Sequence, residues 1–579
     1  MQKIKSSILL GGLFLSILLV STSLFAQDNV TDEAEISPAR RINQPPDRGA
    51  QAGKDGEKGE ASVDGYPVRT IDGSGNNVDD PEMGKAVIQL IRLAGPDYAD
   101  GISELSGASR PSARVVSNGI CSQEESKPNK LRASDFLWQW GQFVDHDIDL
   151  TDGTDPPEPA NIAVPAGDLF FDPNDTGAVV IALNRSIYDE STGTGTDNPR
   201  QQLNEITAWI DASNVYGSND ERAAALRTND GTGKLKTSEG NLLPFNTEGL
   251  PNAGGPAPTL FLAGDVRANE QVGLTSMHTL FVREHNRLAE QFASQHPDWD
   301  GEHLYQKARE IVGAQMQVIT YREYLPALLG RREITRYRGY NSEVDARIAN
   351  MFSTAAYRYG HSALSHAMLR LDAEGNTIPQ GNLELRDAFF SPQRITQEGG
   401  IEPLLRGLAN QRCQSVDPYI IDDVRNFLFG EPGSGGFDLA ALNIQRGRDH
   451  GIPGYNDARE ALGFERARNF RDISSDPKIR GRLASTYDSV DDIDMWAGGL
   501  AEDPMPDGHL GELFYTVVKL QFEALRDGDR FWYQRTLSND EIRRVERTKL
   551  SDIIRRNTDI GREIQDDVFH VGKNTRAGN

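Results

Sequence analysis

Residues 138–149 read Trp138-Gln139-Trp140-Gly141-Gln142-Phe143-Val144-Asp145-His146-Asp147-Ile148-Asp149, and this stretch decides the fold. Wound as a helix at about 100° per residue, it gathers Gln142, Asp145 and His146 on one face. Phe136, Leu137, Trp140, Phe143, Val144 and Ile148 form the opposite arc, and Asp147 falls inside that apolar arc. A lone carboxylate there is costly to bury, so it is expected to be protonated, paired or bound to a metal.

Outward from this stretch, helical periodicity recurs over residues 136–150, 275–295, 304–329, 344–368, 402–408, 417–428 and 510–525. Alternating strand patterns are scarce. Loops rich in Gly, Asp, Asn and Pro, at 151–165, 191–200 and 246–256, separate the helices without a composition break that would mark a second domain. The expected fold class is mainly α: one large helical domain over 63–579 with few short strands.

A second polar cluster lies at Thr207-Ala208-Trp209-Ile210-Asp211-Ala212-Ser213. Together with Asp147, the side chains of Thr207, Asp211 and Ser213 and the carbonyl of Trp209 make a hard-oxygen set suited to Ca²⁺. The same residue types also serve as helix caps and turns.

The chain opens with Lys3 and Lys5 before an apolar run from Ile8 to Val20, then a small-residue cleavage pattern ending at Ala26. Residues 1–26 therefore read as a secretory signal peptide, with a retained membrane anchor as the alternative. Residues 27–62 are polar, carry Pro and Gly, and read as a flexible leader. The expected location is secreted or otherwise extracytoplasmic, with no stable membrane insertion after cleavage. The 61 basic against 86 acidic side chains, a formal charge of -25, disfavour nucleic acid or anionic lipid as partner. Only Cys121 and Cys413 are present, so packing must supply most of the stability, whether the two pair or stay as buried thiols.

The stretch WGQFVDHDID resembles the distal haem motif of the animal haem peroxidase superfamily, and TAWIDASNVYGS resembles that family's calcium loop. Further matches occur, in order, at AGDVRANE, MHTLFVREHNRLA, YRYGHSAL and LNIQRGRDHGIPGYN, so the likeness runs from about Arg69 to about Val571. It implies a haem peroxidase that takes hydrogen peroxide and oxidises small anions or phenol-like donors. By the same resemblance His146 is the distal acid–base group, Gln142 its polar neighbour and Arg267 the distal arginine. His361 matches the proximal iron ligand, Asn443 the acceptor for its other ring nitrogen, and Arg358 and Arg446 the residues facing the haem propionates. Asp145 and Glu270 match the two carboxylates that esterify haem methyl groups, implying a covalently held haem b derivative. Gln271 stands where myeloperoxidase has a methionine that forms a third link. Without that link the iron is expected to be less oxidising, favouring iodide, bromide and thiocyanate over chloride.

Other candidates read more plainly. His278 and His285 lie on one expected helix without a third metal ligand, so they read as packing or hydrogen-bonding residues. His450 reads as structural, and His296, His303, His366, His509 and His570 receive no role. Trp138 and Trp140 read as core or pocket wall. The arginine-bearing stretches at 331–338 and 543–547 read as solvated faces.

Two rivals stand beside the peroxidase. A fatty-acid oxygenase of the related branch would place a radical tyrosine three residues before the proximal histidine, where this chain has Arg358. A catalytically silent calcium-binding or adhesive protein on the same scaffold would not need His146, Arg267, His361 and Asn443 together.

Overall fold

Helix α1 (Phe136–Ile148) is enclosed on almost every side. Only Gln142 and Asp145 keep partial exposure, so the polar face reads correctly while the rest of the surface, amide Gln139 included, is core. The Asp135 carboxylate anchors its start by accepting from Trp138 Nε1 at 3.0 Å and Ser365 Oγ at 2.8 Å. Trp140 and Phe143 pack on Phe281 with ring centroids 5.8 and 5.1 Å apart, joining α1 to the long helix α2 (Val272–Gln295). The computed structural model describes residues 62–63, 65–432 and 434–572. The expected signal peptide, and all of the expected leader except Ser62, lie outside the described residues.

Each long helix has a local reason to begin where it does. The Gln271 side chain accepts from Gly273 N at 2.6 Å to cap α2, and Asp300 accepts from His303 N at 2.9 Å to cap α3 (Gly301–Ile319). After α3 one wide turn over Thr320–Tyr324 leads directly into Leu325–Leu329, in line with the periodic stretch 304–329.

Two expected helices are corrected. Residues 344–368 form α4 (Asn350–Thr354), a tight 3₁₀ turn, Ala356–His361, and a two-residue strand at Ala367–Met368, the helix being broken at Ala355 (φ -131, ψ -66). Upstream, Ile91 N bonds to Ile348 O at 3.0 Å and Asn350 N to Ile91 O at 2.8 Å, so bridge pairing competes with helix there. Periodicity cannot register a partner so distant in sequence.

Helix α5 (Glu402–Asn410) carries Pro403 in its first turn, where a missing N–H costs nothing. The expected helix 417–428 shrinks to α6 (Asp422–Arg425), because Asp417 accepts from Tyr419 N at 2.9 Å and Ile420 N pairs with Cys121 O at 2.8 Å, holding the chain extended. Helix α7 (Leu439–Asp449), capped by Asp438 accepting from Ala441 N at 3.0 Å, packs against both the α4 region and the 3₁₀ turn. Helix α8 (Glu512–Asp527) closes the expected set.

Among the described residues, strands are confined to antiparallel pairs of two residues: β1 (Ser62–Val63) with β2 (Tyr66–Pro67), β3 (Ile88–Gln89) with β6 (Leu203–Asn204), β4 (Ile162–Ala163) with β5 (Val180–Ile181), and β7 (Ala367–Met368) with β8 (Leu383–Glu384). The mainly helical fold class holds. The described residues cluster as one unit. Cys121 and Cys413 are buried free thiols, and burial pushes the Cys121 thiol up to about 12. Among the described residues no helix is long and apolar enough to cross a membrane.

Candidate active site

Gly141 sets how α1 meets the turn that ends at His361. A Cβ at that position would lie 3.0 Å from the Tyr324 hydroxyl and 3.2 Å from that of Tyr359, two phenols bonded to each other at 2.7 Å. The close approach sets α1 directly against the 3₁₀ turn.

On the α1 side, His146 is buried and its Nδ1 has no hydrogen bond, with an Asp265 oxygen 3.5 Å away. Its Nε2 lies 3.9 Å from Glu270. Arg267 is clamped onto Asp265 by Nε at 2.9 Å and Nη2 at 2.8 Å, and it also donates to the Asp149 carbonyl at 2.8 Å. Burial, and then the Arg267 charge, hold the His146 imidazole well below its ordinary value, so the ring is neutral at pH 7. Burial alone would raise Asp265, but the charge and hydrogen bonds of Arg267 pull it far below the usual carboxylate range.

An amide chain completes this side. Gln271 Nε2 donates to Gln139 at 2.7 Å and to Gln142 at 3.0 Å, and Gln142 donates to Glu270 at 3.1 Å. Asp145 lies 3.8 Å from Arg267. Burial pushes the Asp145 carboxyl up to about 8 and that of Glu270 up to about 7, against the pull of the arginines.

On the other side, the 3₁₀ turn and α7 bring His361 and Asn443 together at 2.7 Å. The amide nitrogen of Asn443 faces the ring while its oxygen takes Arg358 Nη1 at 3.2 Å. The expected acceptor role thus meets a difference: Arg358 draws the amide oxygen to itself. An imidazole bonded to iron through Nε2 carries its proton on Nδ1, which calls for the opposite amide orientation, a half-turn that an asparagine side chain can make. Burial and Arg358 push His361 down to about 3, keeping the ring neutral as a metal ligand must be.

These residues fit a haem. Asp145 and Glu270 lie deep in the molecule yet keep 28% and 24% of their side-chain surface accessible, which marks an internal cleft that side chains do not fill. A Cβ on Gly360, beside His361, or on Gly447, one turn beyond Asn443, would meet only open space. His361 Nε2 makes no hydrogen bond among the described residues. Arg446 spends Nη1 on Asn184 O, Ser186 and Asp449, leaving Nε and Nη2 for an anionic group.

The oxygen cluster also assembles. Asp147 accepts from Ser213 Oγ at 3.0 Å and from the backbone of Ala212 and Asn214 at 3.2 Å each. Asp211 accepts from Thr207 Oγ1 at 3.2 Å and Ser213 N at 3.0 Å, while its Oδ2 is buried without a partner. The Trp209 carbonyl accepts from Asp211 N at 2.9 Å, and its ring packs where Gly84 leaves no room for a Cβ. Burial raises both carboxyls, Asp147 the further because Asp211 adds to it. A Cβ on Gly264 would lie 2.3 Å from Ser213 O, so this glycine lets the Asp265–Arg267 loop lean directly on the oxygen cluster.

The family described as "Animal haem peroxidase" matches residues 68–569 of this chain. The chain belongs to the animal haem peroxidase family. It is 38% identical over 517 residues to peroxinectin A of Dictyostelium discoideum, covering 86% of this chain and 95% of that one. It covers only 37% of the mouse peroxidasin homolog that it also matches at 38% identity. The solved structure of peroxidase A from D. discoideum superposes with a TM-score of 0.81 at 36% identity, covering 87% of this chain and 100% of that one. The Arabidopsis thaliana fatty acid alpha-dioxygenase, with a TM-score of 0.75 at 21% identity over 87% and 83% of the two chains, shares the fold. This protein is a haem peroxidase family enzyme.

Two residues escaped the sequence reading. Asp265 anchors Arg267 and faces His146, and Asp149 lies close enough for Arg358 and Arg267 to lower its pKa against a larger burial effect that raises it. Both sat inside quoted motifs, and a carboxylate two residues before an arginine was the available signal for the first. The histidines without a site behave as expected: His285 bonds to Tyr216 and Gly233, and His450 to Thr354, Asn350 and Ser186. His278 packs edge-on against Phe143 at 5.1 Å.

Proposed function

We propose that this peroxidase is exported and oxidises iodide, bromide, thiocyanate or phenol-like donors, with chloride a poor substrate. The observation that carries the catalytic reading is the pairing of a neutral, unbonded His146 beside Arg267 with a His361 held by Asn443. Haem, when bound by these residues, would supply the two-electron redox chemistry that couples reduction of hydrogen peroxide to oxidation of the donor.

The chain's own residues then have distinct tasks. His146 accepts the proton from one peroxide oxygen and delivers it to the departing one, which a neutral imidazole can do. Arg267, held rigid by Asp265, stabilises negative charge on that oxygen. Gln142, fixed between Gln271 and Glu270, orients the peroxide. His361 would hold the iron through Nε2, with Asn443 fixing its ring. Arg358 and Arg446 would pair with the haem propionates.

Ester bonds from Asp145 and Glu270 to haem methyl groups would remove two charges that burial already disfavours. Ca²⁺ held by Asp147, Thr207, Asp211, Ser213 and the Trp209 carbonyl would likewise neutralise two enclosed carboxylates and satisfy Asp211 Oδ2. Gln271 has no thioether, so a third, electron-withdrawing link could not form and the iron would be a weaker oxidant.

Competition among iodide, bromide, thiocyanate and chloride at fixed peroxide tests the donor reading, and chloride turnover equal to iodide turnover contradicts it. Oxygen uptake with linoleate would instead support the fatty-acid oxygenase, against which stands Arg358 at the radical-tyrosine position. Absence of a Soret band would support the silent scaffold. Secreted protein beginning at Gln27 is the expected result of N-terminal sequencing.

A further inference from the structure

A second cluster lies five residues beyond His361, outside the machinery above. His366, just before β7, Glu384, at the end of β8, and Asp423, on α6, present one ring nitrogen and two carboxylate oxygens within 4.8 Å of one another. His366 Nδ1 touches Asp423 Oδ2. Arg386 Nη2 meets Glu384 at 2.7 Å, and Arg386 N donates to Asp423 Oδ1 at 3.3 Å.

Charge at this place is unbalanced. The Arg386 guanidinium faces Glu384, Asp423 and Asp387 but is committed to Glu384. Asp423, whose side chain is only 4% exposed, is left with a histidine ring and a backbone N–H. Two carboxylates so close, one of them buried, favour a further cation. His366 is 60% exposed, so solvent can reach the centre of the cluster and fill a remaining coordination position.

We propose that His366, Glu384 and Asp423 form a site for a divalent first-row metal ion, Mn²⁺ or Zn²⁺, distinct from both the haem cleft and the oxygen cluster. One imidazole with two carboxylates is a mixed donor set that suits these ions better than Ca²⁺, which takes oxygen alone. Bonds of about 2.0–2.1 Å in a tetrahedral arrangement separate ligand atoms by about 3.3 Å, so the three groups need only small side-chain rotations to close on an ion. The ion would tie the segment that follows His361 to α6, which packs on α7, the helix carrying Asn443. The ligands are scattered over residues 366–423, without the short spacing that betrays a metal motif in sequence.

The test uses the full-length, haem-loaded protein in excess Ca²⁺, so that the oxygen cluster is not the binder. Titration with Mn²⁺, following the EPR signal of the free ion, is expected to show about one bound ion per chain that Zn²⁺ displaces. His366→Ala, at an exposed position, should weaken binding at least about tenfold, and His366→Ala combined with Glu384→Gln should abolish it, with the haem absorption band unchanged. An ion still bound equally well by the double variant overturns the proposal. So does a wild-type protein that binds no Mn²⁺ and no Zn²⁺.

Discussion

The two histidines of the cleft are the same residue in opposite circumstances. His146 is buried with an unbonded Nδ1 and is surrounded by charge, with Asp265, Arg267 and Glu270 all near it. His361 is bonded through Nδ1 to an uncharged amide, and its charged neighbour, Arg358, acts on it from beside that amide. The contrast teaches that chemical role here follows from what restrains the ring. On the proposed roles, the ring that would exchange protons is left without a fixed partner, whereas the ring that would hold a metal is oriented by a hydrogen bond, and both are kept neutral.

Substitutions can break this contrast. His361→Ala should have the largest effect, removing the axial nitrogen, so that both the Soret band and peroxide-dependent turnover collapse in absorption and activity assays. His146→Ala should leave the pigment intact while slowing the reaction with peroxide by about 10²–10⁴-fold in stopped-flow traces. If it instead lost pigment, the two roles would have been exchanged. Arg267→Leu should cost about 10²–10³-fold in the same step, with Asp265 then left as a buried, unpaired carboxylate.

Smaller effects sharpen the contrast. Asn443→Ala should change haem retention or turnover by about 10–100-fold, chiefly through ring orientation, without altering the pH profile set on the His146 side. That profile follows from burial and Arg267, which disfavour the imidazolium. As pH falls through 6.5 a free imidazole would become half protonated, but His146 stays neutral and able to accept a proton. With Asp145 and Glu270 tied up as haem esters and unable to titrate, the rate of the peroxide step should therefore stay flat from pH 7 to below 6.5, and a loss centred at 6.5 would contradict the assignment.

The same asymmetry explains what could be read from the sequence. The α1 helix, its polar trio and the calcium-like cluster were legible because helical periodicity and local polar alternation lie within a dozen residues. His361, Asn443 and Arg267 were legible through motif resemblance, since no local signal joins His361 to a partner 82 residues away. Asp265 and Asp149 were hidden because their roles depend on which way a carboxylate turns inside the fold. The broken helix at 344–368 was misread because the Ile91 bridge lies far outside any window of periodicity. The cluster around His366 was hidden for the same reason, since β8 and α6 meet it only through tertiary packing.

EPR of the purified ferric protein tests the central claim most directly, because it counts the imidazoles bonded to iron. One bonded ring and one free ring predict a high-spin ferric signal that persists in His146→Ala and is lost in His361→Ala. A low-spin signal of the bis-imidazole kind in the unmodified protein would contradict the account.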